Sequence, residues 1–160
     1  MQVFIMRHGD AATDAASDSV RPLTPCGNEE SSRMASWLND QQVDIDTVLV
    51  SPYLRARQTL DAVRGALLLP EVEEVLPELT PDGDAKLVTC YLDTLANEGV
   101  KSVLVISHLP LVGYLVSALC PQESPPMFAT SAIASVLTDV AAAGTLQWQM
   151  SPSKLTAQGE

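Results

Sequence analysis

The sequence predicts an α/β fold with a mostly parallel central sheet, helices on both faces and a closing antiparallel hairpin at the C-terminus. Three observations lead there. Short apolar runs rich in β-branched residues end abruptly at polar or turn residues, as strands buried on both faces do. Amphipathic helical patterns lie between these runs, and strand alternating with helix is the pattern of a parallel sheet. Near the end of the chain, two further strand-like runs follow each other with no helix between them, which an antiparallel pair allows.

In chain order, the predicted strands are Val3 to Met6, Val48 to Val50 and Val103 to Ile106. The predicted helices are Gly27 to Leu38, Pro52 to Leu69, Asp84 to Leu95 and Pro110 to Leu119. In the second of these, Ala56, Leu60, Val63 and Leu67 form one apolar stripe. The hairpin pairs Ala132 to Leu137 with Thr145 to Met150 across the turn-prone Ala-Ala-Ala-Gly at 141–144. Residues 151–160, with Pro152 and a polar end, are expected to be a frayed tail.

At 160 residues and 17.1 kDa the chain fits one domain, 1–160, without repeats or linkers. Only 4% of residues are aromatic, so the core must come from Ala, Val, Leu and Ile. Nine Lys and Arg against twenty Asp and Glu give a net charge of −11, which repels nucleic acid and anionic membranes. Cys26, Cys90 and Cys120 are odd in number and form no CxxC, which suggests neither a disulfide framework nor a zinc site and fits a reducing cytoplasm. The apolar start is broken at Arg7, and the stretch from Leu109 to Leu119 is interrupted by Pro110 and too short to span a bilayer. Neither export nor membrane anchoring is expected.

Ligands of open α/β sheets bind outside the carboxyl ends of the strands. The first strand there runs into Arg7-His8-Gly9, the second into Ser51-Pro52 with Arg55 close behind, and a later one into Ser107-His108. Both histidines of the protein therefore fall at strand ends on one edge. With Ser51 as N-cap and Pro52 as first helical residue, Arg55 would sit by the first turn, where the helix dipole disfavours a cation unless an anion is near. Arg7 has no local carboxylate before Asp10. Two guanidiniums, two imidazoles and a helix N-terminus converging on one place describe a phosphate site. Arg57, Asp61 and Arg64, spaced along one helix face, read as a solvated surface with weak ion pairs.

The motifs Met6-Arg7-His8-Gly9, Ser51-Pro52 with Arg55-Ala56 and Gln58-Thr59, and Ser107-His108 with Pro110 resemble the histidine phosphatase (phosphoglycerate mutase-like) superfamily. Arg21 to Gly27 extends the likeness. More narrowly, the short length, residues 76–81 and residues 125–133 look like the SixA-type phosphohistidine phosphatases of bacteria. The resemblance implies that His8 is the nucleophile that carries the phosphoryl group, that Arg7 and Arg55 clamp its oxygens, and that His108 completes the pocket. Arg21 matches a phosphate-contacting position, or is an ordinary loop cation. Glu78, with Asp84 behind it, matches a general acid in larger relatives, or is an ordinary loop carboxylate. A phosphohistidine substrate relaxes the need for such an acid, since imidazole leaves more easily than an alkoxide.

The stretches flanking Glu78 are too short for a helical lid, so the pocket should be open and suited to a phosphorylated side chain on another protein. The expected substrate is a phosphorylated histidine-containing signalling or phosphotransfer protein, with inorganic phosphate as product and no metal or organic cofactor. A sugar-phosphate phosphatase on the same scaffold and a phosphoprotein-binding module without turnover are the alternatives. The sequence has no HxH or HExxH, no P-loop, no GxSxG, and the wrong Cys26-to-Arg33 spacing for a cysteine phosphatase.

Overall fold

A computed structural model describes residues 1–139 and 142–158. Six strands form one sheet in the order β3-β2-β4-β1-β5-β6. They are β1 (Gln2–Arg7), β2 (Thr47–Val50), β3 (Glu74–Val75), β4 (Ser102–Ser107), β5 (Ile133–Asp139) and β6 (Ala142–Met150). The helices are α1 (Pro25–Asp40), α2 (Leu54–Arg64), α3 (Ala85–Asn97), α4 (Leu111–Leu119) and α5 (Pro152–Gln158). Strands β3, β2, β4 and β1 run parallel, whereas β5 pairs antiparallel with both β1 and β6.

The chain moves outward across the sheet from β1 to β2 and β3, then returns to insert β4 between β2 and β1. Right-handed crossovers in opposite directions place their helices on opposite faces. Alternate residues of each strand accordingly enter two cores. Val3, Ile5, Leu49, Val103 and Val105 pack with Val88, Leu92, Leu115 and Val116 of α3 and α4. Phe4, Met6, Val48, Val50 and Ile106 pack with Met34, Leu38, Leu60 and Val63 of α1 and α2. The point where the connections reverse lies between β1 and β4, whose register sets Arg7 beside Ser107. The two residues that follow, His8 and His108, therefore leave the sheet side by side.

Several boundaries differ from the sequence expectation for local reasons. Helix α1 starts at Pro25 instead of Gly27, because the Thr24 hydroxyl caps it by accepting the Gly27 amide at 3.0 Å and proline suits the first helical position. Helix α2 is shorter than Pro52 to Leu69. It begins after Tyr53, not Ser51, and stops at Gly65; Leu67 and Leu69 reach the core from the turn beyond. Arg64 pairs with Glu73 at 3.1 Å and donates to the Pro70 carbonyl at 2.6 Å, so it clasps that turn instead of a helix-face carboxylate. Strand β6 starts at Ala142, so most of the predicted turn at 141–144 is strand, while residue 141 lies outside the described residues. The short edge strand β3 was not expected.

The expected frayed tail is helix α5 as far as Gln158. Pro152 is buried, Leu155 joins the second core, and the Thr156 hydroxyl accepts from Arg33 at 2.8 Å, which ties α5 to α1. No helix among the described residues is long and apolar enough to cross a membrane.

Candidate active site

A pocket of about 280 Å³ opens at the carboxyl ends of the strands, lined by Arg7, His8, Asp18, Arg21, Arg55 and His108 together with Pro81, Leu109 and Thr130. A larger cleft of about 770 Å³ lies at the opposite ends of the strands, against Trp37 and Trp148, but its lining holds no histidine, arginine or cysteine. The smaller pocket is the one with chemistry.

His8 sits at its floor and is 7% exposed. Its Nδ1 lies 2.7 Å from the Gly9 carbonyl, and since a carbonyl only accepts, Nδ1 carries the proton and Nε2 is left unprotonated. Arg55 Nε points at that Nε2 from 3.3 Å. Burial above all, then the Arg55, Arg7 and Arg21 charges, lower the His8 pKa to about 4 against the opposing Gly9 bond. The ring is thus neutral and nucleophilic at physiological pH.

The backbone around His8 is held on every side. Its amide donates to Ser107 and its carbonyl accepts from Ser131, both at 3.0 Å. The Gly9 amide donates to Thr59 Oγ1 at 3.0 Å, and Thr59 in turn donates to the Arg55 carbonyl at 2.7 Å. Gly9 and Gly27 let the loop and α1 touch: a β-carbon on Gly9 would lie 2.7 Å from the Gly27 oxygen, and one on Gly27 only 2.2 Å from the Asp10 oxygen.

His108 is 1% exposed, with its ring centroid 4.9 Å from that of His8. Its Nε2 is 2.7 Å from Ser51 Oγ, while its buried Nδ1 has no protein partner. Burial first, then His8 and Arg55, lower its pKa to about 3. Arg7 donates through Nη1 to the Phe128 carbonyl at 2.9 Å, and its buried Nε likewise lacks a protein partner. The Arg7 Nε–H, a buried donor without a protein partner in the same pocket as the unprotonated His8 nitrogen, suits an oxyanion. Tyr53 braces the site, its ring 5.0 Å from His108 and from the Arg55 guanidinium carbon.

The structure brings together Arg7, His8, Arg55, His108 and Arg21. It leaves Glu78 exposed on a short 3₁₀ turn, outside the residues that line the pocket, and it uses Asp84 as the N-cap of α3, accepting from the Lys86 amide at 2.9 Å. Asp18 was missed by the sequence reading. It follows a run of small and polar residues with no motif around it, and only the folded loop carries it to the arginines. No cluster of three or more His, Cys, Asp or Glu suited to a metal occurs among the described residues.

A paired-histidine, paired-arginine pocket at the switch point of an α/β sheet is a site for phosphoryl transfer. Residues 3–82 match the histidine phosphatase superfamily (branch 1), and the chain belongs to that superfamily. It is 68% identical over 155 residues to the phosphohistidine phosphatase SixA of Escherichia coli strain K12, covering 97% of this chain and 96% of that one. It is 41% identical to a SixA homolog of Haemophilus influenzae, covering 95% and 97%. A solved structure of the protein histidine phosphatase SixA complexed with tungstate superposes with a TM-score of 0.95 at 68% identity, over 97% of this chain and 99% of that one.

Proposed function

We propose that this chain is a protein phosphohistidine phosphatase that works through a phosphorylated His8. The observation that carries this is the tautomer fixed by Gly9, which leaves His8 Nε2 unprotonated inside a ring of arginine and imidazole donors. His8 Nε2 attacks phosphorus, a new N–P bond forms, and the N–P bond to the substrate imidazole breaks. When the other nitrogen of the substrate ring is protonated, that ring leaves as neutral imidazole and needs no enzyme acid. Water then attacks phospho-His8, releasing inorganic phosphate and restoring the free ring.

The enzyme's own groups supply position and charge. Arg7 and Arg55 bind the phosphoryl oxygens, and Arg21 stands at the pocket beside them. With the Ser51 hydroxyl donating to His108 Nε2, the proton of His108 resides on Nδ1, where it can meet a third oxygen. Neither Glu78 nor Asp84 is required as an acid, in keeping with a nitrogen leaving group.

A protein-borne phosphohistidine is favoured over a sugar phosphate because α2 and α3 are the sole α-helices between β2 and β4, joined there by only the short edge strand β3 and a three-residue 3₁₀ turn. The pocket stays open to a side chain projecting from a partner surface. The relatives named phosphohistidine phosphatases, at 68% and 41% identity along nearly the whole chain, support the same substrate class. A histidine phosphotransfer domain or similar carrier in a reducing cytoplasm is the partner and setting this implies; Cys26, Cys90 and Cys120 are all free thiols.

The deciding experiment is turnover, with chelator present, of a phosphohistidine-bearing phosphotransfer protein beside a panel of sugar phosphates. Preference for the phosphoprotein is expected. Faster turnover of sugar phosphates would overturn the substrate class.

A further inference from the structure

Every donor nitrogen of Arg55 is engaged within the protein. Nε points at His8, Nη1 donates to the Asp18 carbonyl at 2.6 Å, and Nη2 meets Asp18 Oδ2 at 3.2 Å. The other carboxylate oxygen of Asp18 holds Arg21 Nη1 at 3.1 Å. Arg7 Nε and His108 Nδ1, by contrast, have no protein partner. The Asp18 carboxylate therefore engages Arg55 and Arg21 nitrogens that a phosphate in this pocket would take.

We propose that Asp18 is an internal competitor for the phosphate site, displaced from Arg55 and Arg21 when a phosphoryl group enters and returning to them as inorganic phosphate leaves. The proposal rests on the phosphatase reading above. The asymmetry of the pair makes the exchange feasible: the Arg55 side chain is 5% exposed and cannot leave, whereas the Asp18 side chain is 56% exposed and can turn to solvent. Ion pairs with one exposed partner are weak, so a dianion that also reaches Arg7 and His108 wins the exchange, whereas a singly charged anion gains little. The bonds from Arg21 and Arg55 hold the Asp18 pKa below its ordinary value, so at neutral pH the side chain competes as an anion and does not serve as a proton donor. The expected benefit is product release. A pocket with three arginines and no competitor would retain inorganic phosphate.

The test is calorimetric binding of inorganic phosphate to the wild-type protein, to Asp18→Asn and to Asp14→Asn, with steady-state inhibition by phosphate as a second readout. Asparagine keeps a carbonyl oxygen and the backbone contact for Arg55 but removes the charge. Asp14 is an exposed carboxylate on the same loop, outside the pocket lining, and controls for net charge. The expected result is phosphate binding tighter by roughly three- to fivefold in Asp18→Asn, the scale of one partly exposed ion pair. Stronger product inhibition and a lower kcat should accompany it, with little change in Asp14→Asn. Unchanged or weaker binding in Asp18→Asn would overturn the proposal, as would equal tightening in Asp14→Asn. No turnover of phosphohistidine by the wild-type protein, with phosphate bound by neither it nor Asp18→Asn, would sink the phosphatase reading itself, a distinct failure.

Discussion

Ser51 Oγ lies 2.7 Å from Nε2 of His108 and accepts the Tyr53 amide at 3.2 Å. The serine that the sequence offers as a helix cap thus also meets an imidazole, and in the proposed mechanism its hydroxyl proton goes to His108 Nε2. Ser51→Ala is expected to free the His108 tautomer and reduce kcat by about tenfold, the scale of one misdirected donor in a buried site. Nitrogen NMR of the ring checks it: the Nδ1–H signature should be dominant in wild type and mixed in the variant. An unaltered tautomer would remove the serine from the mechanism.

His8→Ala is expected to abolish turnover of phosphohistidine while leaving inorganic phosphate bound through Arg7 and Arg55. Mass spectrometry of wild-type enzyme quenched during turnover should find phosphate on His8. Near wild-type activity in the variant would exclude the covalent route.

In the proposed mechanism Arg7 and Arg55 both act on charge as it develops in the transition state, and Arg7→Ala and Arg55→Ala should then each lower kcat/KM by the equivalent of about 2 to 4 kcal/mol. Arg55 is also tied to Asp18 and Tyr53, so its loss should disturb the loop over the pocket as well. Losses below about threefold in either variant would mean that the clamp lies elsewhere.

The two histidines make the fold acid-sensitive in a defined window. Burial keeps His8 at about 4 and His108 at about 3, against 6.5 in the unfolded chain. Between these values the unfolded state binds more protons, so stability rises with pH there. Their contribution is fully present above about pH 6.5 and is lost as pH falls toward 4. Thermal unfolding at pH 7.5 and pH 5 should show a larger fall in Tm for wild type than for His8→Gln, which lacks one of the two groups. Equal falls would mean that His8 titrates normally in the folded protein.

Gly27→Ala places a β-carbon 2.2 Å from the Asp10 oxygen, so α1 and the loop after His8 must part. Destabilisation on the order of 2 kcal/mol is expected, with a loss of activity in the protein that remains folded. Urea denaturation and specific activity measure the two effects. A silent substitution would show that the close approach is not needed.

Much of this was legible in the sequence because it is encoded locally. Apolar runs such as Val103 to Ile106 announce buried strands by composition alone, and the strand-end positions of His8 and His108 follow from the α/β alternation. The helix starts were less legible. Thr24 and Pro25 extend α1 by local capping rules, whereas α2 begins only after Tyr53, and the Ser51 hydroxyl that accepts the Tyr53 amide also meets His108 from far along the chain. The C-terminal helix is not legible locally because α5 has little amphipathic length of its own and is held by α1.

The sequence by itself determined the fold class, the switch-point location of the pocket and the convergence there of His8, His108, Arg7 and Arg55, since periodicity and strand-end position are properties of neighbours in the chain. Only the tertiary structure decided which nitrogen of His8 is free, why Gly9 must face Gly27, that Glu78 stands apart from the pocket and that Asp18 stands inside it. Those outcomes depend on hydrogen bonds and close approaches between residues brought together by the β1–β4 register and by the loop folded over it. Side chains distant in sequence meet there at distances that no local pattern encodes.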